Sequence, residues 1–425
     1  MQRGAPCHLA GCCCFGHLSI EFTMSDLVTL NVSAAVRDRY SEASKNQVAA
    51  LCCPVSYDPQ FLEAIPREVI ERDYGCGDPS KYVRPGDAVL DLGSGGGKIC
   101  FIAAQVVGPS GHVIGIDCNE DMLALARRSQ PEVARYIGFD NVSFRKGQIQ
   151  DLKLDLEQLE VTLSAEPISS SSAWLRAHER ADELRQTSPL VATESVDVVV
   201  SNCVLNLVRA KDRRQLFGEI HRVLKVGGRA VISDIVSNTD IPASLQNDST
   251  LWSGCLSGAF REDQFLAAFE AAGFGGIEIL ERQSAPWQIV EQIEFRSLTV
   301  RAYKLPPSCC ADWDGSHATD VVYRGPWKSV QDDGGQTFGR GQRVAVCQQT
   351  ADSLRRPPYA GQMLAVSEAR SCCETSACCE PMPRGEASAN AHSLVTLSLA
   401  TESNCDEPTD CCKGTRNATS QEPEV

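Results

Sequence analysis

Three cysteines stand where a thiol could do chemistry. Cys76 lies in DYGCGDP, a tight turn with glycine on both sides; Cys203 lies in SNCVLNLV, just past an apolar run; Cys255 lies in LWSGCLSGAF, between small residues. Each could be packing, a nucleophile or a metal ligand, and a lone cysteine most often behaves as a small buried hydrophobe. Cys100 and Cys118 follow apolar periodicity or a strand end and read as packing residues. No general base accompanies the three thiols. The seven histidines are scattered, His112 sits where a strand begins, and His221 falls on the outward face of a helix by periodicity. Three soft thiolates without histidine or carboxylate companions suit a thiophilic centre.

A second chemical feature is DLGSGGGK, Asp91 to Lys98. As a phosphate loop it fails, because Leu92 occupies the first glycine position and Ile99 the Ser/Thr position. As a dinucleotide fingerprint starting at Gly93 it fails at Lys98. What fits is acidic-x-Gly-x-Gly-x-Gly, carried by Asp91, Gly93, Gly95 and Gly97. That pattern resembles the first motif of the class I S-adenosylmethionine-dependent methyltransferases. Asp117, ending the run GHVIGID, is placed to accept from ribose hydroxyls. In such a fold the ligand lies at the C-terminal edge of the sheet. Ile149 and the pair Ser201–Asn202 then border the donor, and Cys203 comes close to its reactive sulfonium.

These residues need elements to hold them. DAVLDLG, GHVIGID, NVSFRKG, VDVVVSN and RAVISDI read as strands. KICFIAAQVV, EDMLALARRS, RRQLFGEIHRVLK (closed by a Gly227–Gly228 turn) and REDQFLAAFEAAGF (stopped by Gly273) read as helices. The alternation predicts an α/β fold: a Rossmann-like, mostly parallel sheet covered on both faces, with one antiparallel late strand where GIEILER and FRSLTVRAY pair. A helix is also expected in SAAVRDRYSEASKNQVAALCC. The stretch from about Gln150 to Ser195 reads as an insertion with one helix around WLRAHERADELRQ.

At 425 residues, 43% hydrophobic and 22% charged, the chain can bury a full core. A net charge of -15 argues against nucleic acid as a partner, which needs a basic face. No apolar run is long enough to span a bilayer, and the N-terminus lacks a secretory h-region, so a cytoplasmic protein without membrane partners is expected. Twenty-one cysteines, an odd count in a long chain, read as free thiols for soft ions or redox work rather than a disulfide framework. The expected organisation is a flexible leader over 1–35, a methyltransferase domain over 36–304, a small β-rich appendage over 305–367, and a disordered, cysteine-containing tail over 368–425.

Zinc normally takes four ligands, often in Cys-x-x-Cys pairs, and those are missing around the three thiols. A three-coordinate ion with a lone pair, such as As(III), would use three sulfurs and leave the lone pair free to attack. YGCGDP, VLDLGSGGGK, SNCVLNLV, RVLKVGGRAVISD and WSGCLSGAF, in this order, resemble the arsenite S-adenosylmethionine methyltransferase family over roughly Val36 to Lys304. The resemblance implies that S-adenosylmethionine is the methyl donor. It also implies that Cys203 and Cys255 bind As(III), that Cys76 joins them or forms a disulfide during turnover, and that Cys52 or Cys53 upstream assists. Arsenite or its thiol conjugates would be the substrate, methylated arsenicals the products, and thioredoxin or glutathione the reductant. Two other readings remain at this point: a methyltransferase of another small acceptor, in which Cys203 only packs, and a non-catalytic metalloid sensor.

Overall fold

The computed structural model of the chain describes residues 32–45, 55–306 and 318–366. Cys52, Cys53 and the cysteines beyond residue 366 lie outside the described residues. Helix α1 (Val32–Ala43) comes first, followed by the short helices α2 (Pro59–Leu62) and α3 (Arg67–Glu71). Strand and helix then alternate: β1 (Ala88–Leu92), α4 (Lys98–Val107), β2 (His112–Asp117), α5 (Glu120–Ile137) and β3 (Val142–Lys146). The insertion holds two helices, α6 (Leu156–Ala165) and α7 (Ser171–Thr187), where the sequence predicts only the second. Helix α6 buries no residue fully; Leu156 and Leu159 pack half-buried on Leu154, Ala181 and Leu184, a shallow apolar face on a short helix.

The second half contains β4 (Val196–Asn202), α8 (Arg213–Val223), β5 (Leu224–Ser237), α9 (Ala243–Gln246), α10 (Ser249–Ser253), β6 (Phe260–Arg261), α11 (Glu262–Ala271), β7 (Gly275–Arg282), β8 (Gln288–Val290) and β9 (Ile293–Tyr303). The main sheet runs β3-β2-β1-β4-β5-β9-β7. The first five strands of that order are parallel, and β9 is antiparallel to both β5 and β7. The order in which strands are added therefore changes side after β3, and the crevice at the ends of β1 and β4 is the switch point where such sheets bind ligands.

Central strands of this kind need apolar residues on both faces. Leu90, Leu92, Val199 and Ile232 sit in a core under α8 and α11, while Val89, Val198, Val200 and Val231 pack beneath α4 and α5. The Gly227–Gly228 turn differs from expectation. Strand β5 already starts at Leu224, paired to Val196, and Arg229 pairs to Val198, so the glycines form a bulge inside the strand with Gly227 at φ 83°. His221 also differs: it is half-buried, with its ring edge-on to Phe274 at 5.0 Å.

After the sheet come β10 (Thr319–Tyr323), β11 (Ser329–Gln331), β12 (Thr337–Gly339), β13 (Arg343–Val346), α12 (Gln348–Leu354) and β14 (Met363–Ala365). They form a three-stranded sheet, β13-β10-β14, and the β11–β12 ribbon around Tyr323, Phe338 and Leu354.

Candidate active site

Asp91 is fully buried near the end of β1, and from Gly93 the chain leaves the sheet as a glycine loop. Backbone N–H groups of Gly93 and Ser94 both donate to Ile116 O, at 2.8 and 3.0 Å, which ties the loop to β2. Gly93 has φ 72°, and a Cβ there would collide with the side chain of Val204, the residue after Cys203. Gly95 has φ 52° with open space where its Cβ would be, and its N–H donates to Asp117 Oδ2 at 2.8 Å. The other Asp117 oxygen accepts from Asn119 N at 2.8 Å.

The cavity in front of this loop is lined by Asp91, Gly93, Gly95, Asp117, Ile149 and Asn202, among others. Ser94 also lines it, and its hydroxyl is buried without a hydrogen-bond partner among the described residues. An orphaned hydroxyl, bare backbone and a strand-end carboxylate suit a nucleoside-bearing ligand. Burial pushes the Asp91 carboxyl up to about 7, partly offset by the thiol of Cys100, which donates to Asp91 Oδ2 at 3.1 Å. Burial raises Asp117 as well.

Two of the expected donor contacts lie elsewhere. Ser201 is fully buried and absent from the cavity wall, its hydroxyl donating to Leu92 O at 2.9 Å. Gly97 also stands behind the wall: it starts α4 at φ 91°, where a Cβ would press on Phe144 at 2.8 Å. Lys98, the residue that ruled out a nucleotide fingerprint, is buried in an ion pair with Asp73 and lies over the Tyr57 ring at 3.7 Å.

The structure brings Cys76, Cys203 and Cys255 together. They are 4%, 7% and 4% exposed, all free thiols, in one apolar nest with Ile235, Leu256 and Phe295. The Cys255 thiol donates to Cys203 O at 3.1 Å, and the Cys76 and Cys203 sulfurs lie within 4.8 Å of each other. Cys203 and Cys255 each hold a left-handed backbone with φ 63°, uncommon for a residue bearing a Cβ. Their amides are fixed by Ser233 O at 2.8 Å and Trp252 O at 3.0 Å.

The Cys76 turn is clamped by Asn202. Its Oδ1 accepts from Cys76 N at 2.9 Å and Gly77 N at 3.1 Å, while its Nδ2 donates to Gly77 O at 2.7 Å. A Cβ on Gly75 would strike Asn202, and one on Gly77 would lie 2.5 Å from Ser233 Oγ, which explains the Gly-Cys-Gly spelling. Asn202 thus serves the thiol turn as well as the cavity wall, a role no local pattern announces.

The thiols titrate unevenly. The hydrogen bond between Cys203 and Cys255 lowers the first and raises the second; the bond to Cys76 and burial then push Cys203 up too, so both end well above the ordinary thiol range. Asp234, inside the apolar run RAVISDI, has a carboxylate oxygen within 4.8 Å of the sulfurs of Cys76 and Cys203. Burial pushes it up to about 7 against bonds from Ile235, Asn206 and Leu205 amides. An acid in the middle of an apolar strand was the available signal for it.

Cys203 alone among the three lines the donor cavity, so the thiol nest opens onto that cavity through it. The strand order, the glycine loop and the carboxylate after β2 define a class I methyltransferase. A methyltransferase-domain family model matches residues 84–273, and a Domain of unknown function (DUF8838) matches 311–393. An arsenite methyltransferase from Aquipseudomonas alcaligenes is 31% identical over 306 residues, 68% of this chain and 77% of the relative. One from Halobacterium salinarum is 37% identical over 213 residues, 50% of this chain, and the match spans only 44% of that relative. The crystal structure of an arsenic(III) S-adenosylmethionine methyltransferase from Chlamydomonas reinhardtii superposes with a TM-score of 0.50 at 25% identity, covering 75% of this chain and 98% of that one. The chain belongs to the arsenite methyltransferase family.

Proposed function

We propose that this protein transfers methyl groups from S-adenosylmethionine to As(III) held by Cys76, Cys203 and Cys255. The observation that carries the reading is the position of Cys203, which is at once part of the donor cavity wall and a member of the three-thiol nest. The names of the relatives support arsenic as the acceptor. Asp91, Gly93, Gly95 and Asp117 would hold the donor, with Ile149 and Asn202 beside it; Ser201 and Gly97 support the wall from behind. When bound, S-adenosylmethionine supplies a methyl group on a sulfonium, electrophilic without further activation.

The chain's own residues do the rest. As arsenite exchanges its three hydroxyls for three sulfurs, each thiol proton leaves with a hydroxyl as water, so thiols that are protonated at rest need no separate base. Arsenic held by three sulfurs keeps a lone pair and carries no proton. Positioning and exclusion of water then suffice, and the apolar nest provides both. Using that lone pair in an As–C bond takes arsenic formally from III to V. Two electrons return when two thiolates couple as a disulfide, and thioredoxin or glutathione, with Cys53 as an exchanging thiol, would reduce it. Among the described residues no helix is long and apolar enough to cross a membrane. The cytoplasm, where such reductants are abundant, is the proposed site of action.

The test is purified protein with methyl donor, reductant and arsenite, and measurement of mono- and dimethylated arsenic. Cys203→Ser and Cys255→Ser should each abolish methylation while donor affinity stays at the wild-type value. Near-normal turnover by either variant would overturn the reading.

A further inference from the structure

The Cys76 turn hangs from side chains. All four backbone polar groups of Cys76 and Gly77 have a side-chain partner, supplied by three separate parts of the chain. Asn202, at the end of β4, takes both N–H groups. Ser297, midway along β9, donates from Oγ to Cys76 O at 2.6 Å. Tyr57, in the segment before α2, donates from Oη to Gly77 O at 3.1 Å and accepts from Asn202 Nδ2 at 3.2 Å. Beneath Gly77, Ser233 Oγ and Thr299 Oγ1 bond each other at 2.8 Å, and the Ser233 carbonyl holds the Cys203 amide. The Tyr57 ring has its own contact, with Lys98 Nζ 3.7 Å above it. Phenylalanine would serve that contact equally, and alanine at 297 would keep the strand. What the two hydroxyls add is the fixing of two consecutive carbonyls in the thiol-bearing turn. A helix or strand sets a residue through its backbone ladder; here the side chains set it. Neither Tyr57 nor Ser297 lines the donor cavity.

We propose that Tyr57 and Ser297 are positioning residues for Cys76, their hydroxyls holding its sulfur at the reach that arsenite, with three exchangeable ligands, requires. The inference rests on the function proposed above. Monomethylated arsenic(III) sets the contrast. One of its valences is taken by carbon, so two sulfurs satisfy it. Cys203 and Cys255, joined by the thiol-to-carbonyl bond at 3.1 Å, provide that pair without Cys76. The two hydroxyls should therefore matter for arsenite and not for its monomethylated product.

The double variant Tyr57→Phe/Ser297→Ala keeps the ring and the strand and removes both hydroxyls. Arsenite affinity, read by equilibrium dialysis without methyl donor, should fall about tenfold, the scale of one to two neutral hydrogen bonds. Affinity for monomethylarsonous acid by the same method, and donor affinity by calorimetry, should stay within about twofold of wild type, a split that general loosening of the fold would not produce. A fall in arsenite affinity of less than about threefold overturns the inference, as does a comparable loss for monomethylarsonous acid or for the donor. Should the double variant fail to fold cooperatively, Ser297→Ala alone, with an expected fall of about fivefold, is judged by the same criteria. Wild-type protein unable to methylate arsenite would remove the function and this inference with it; active wild type with an indifferent double variant removes the inference alone.

Discussion

Asp91 is a carboxyl almost wholly buried at the back of the donor cavity. Its folded value of about 7 lies above the ordinary carboxylate range, so between those limits the folded protein holds a proton that the unfolded chain releases. Stability must then fall as pH rises from about 4 to about 7, because the unfolded state binds fewer protons across that window. Asp234, also raised to about 7, adds to the same slope. Asp91→Asn should flatten the pH dependence of urea-unfolding free energy in the donor-free protein, leaving the share due to Asp234; an unchanged slope would contradict the assignment. The Asp91 position was legible because the glycine pattern that marks it is continuous in sequence. Asn202 was not legible in its role of holding the thiol turn. Asn202 meets a turn 126 residues away. No spacing rule reaches so far.

Elements act through their ends here. Strand β4 finishes at Asn202, and that side chain converts the strand terminus into the support of the Cys76 turn. Asn202→Ala would leave the N–H groups of Cys76 and Gly77 unpaired in a largely buried turn, at a cost of about 2 kcal/mol or more. The expected outcome is a lower urea midpoint together with slower arsenite methylation. The strands and the helices packed on them were readable from apolar periodicity, since β1 and β4 are almost continuously buried. Helix α6 was missed because it is short and its leucines are only half-buried, and the β5 bulge was mistaken for a turn because glycine pairs serve both.

At the scale of the whole molecule, every residue lining the donor cavity lies at or before Arg209, and the thiol nest ends with Phe295. The region from β10 to β14 contributes to neither. It meets the sheet where Asp333 accepts from Gly276 N at 3.1 Å, on the edge strand β7. We propose that residues 36–304 form the methyltransferase domain and 305–367 a separate β-rich appendage. A chain ending at Pro306 should bind the donor normally and methylate arsenite within about threefold of the full chain, losing mainly the stability of the β7 edge. Loss of all activity with retained folding would place the appendage inside the catalytic machinery.

The contact between Gly93 and Val204 has a consequence for how such a protein can evolve. The donor loop and the residue following Cys203 are pressed together so closely that neither can enlarge alone. A first substitution at Gly93 damages the acceptor side before any benefit on the donor side can be selected, and the same holds in reverse for a bulkier residue at Val204. A smaller residue at Val204 would not by itself admit a side chain at Gly93, whose φ of 72° is strained for any residue with a Cβ. The two loops are thereby coupled through packing, although 111 positions separate them in the sequence.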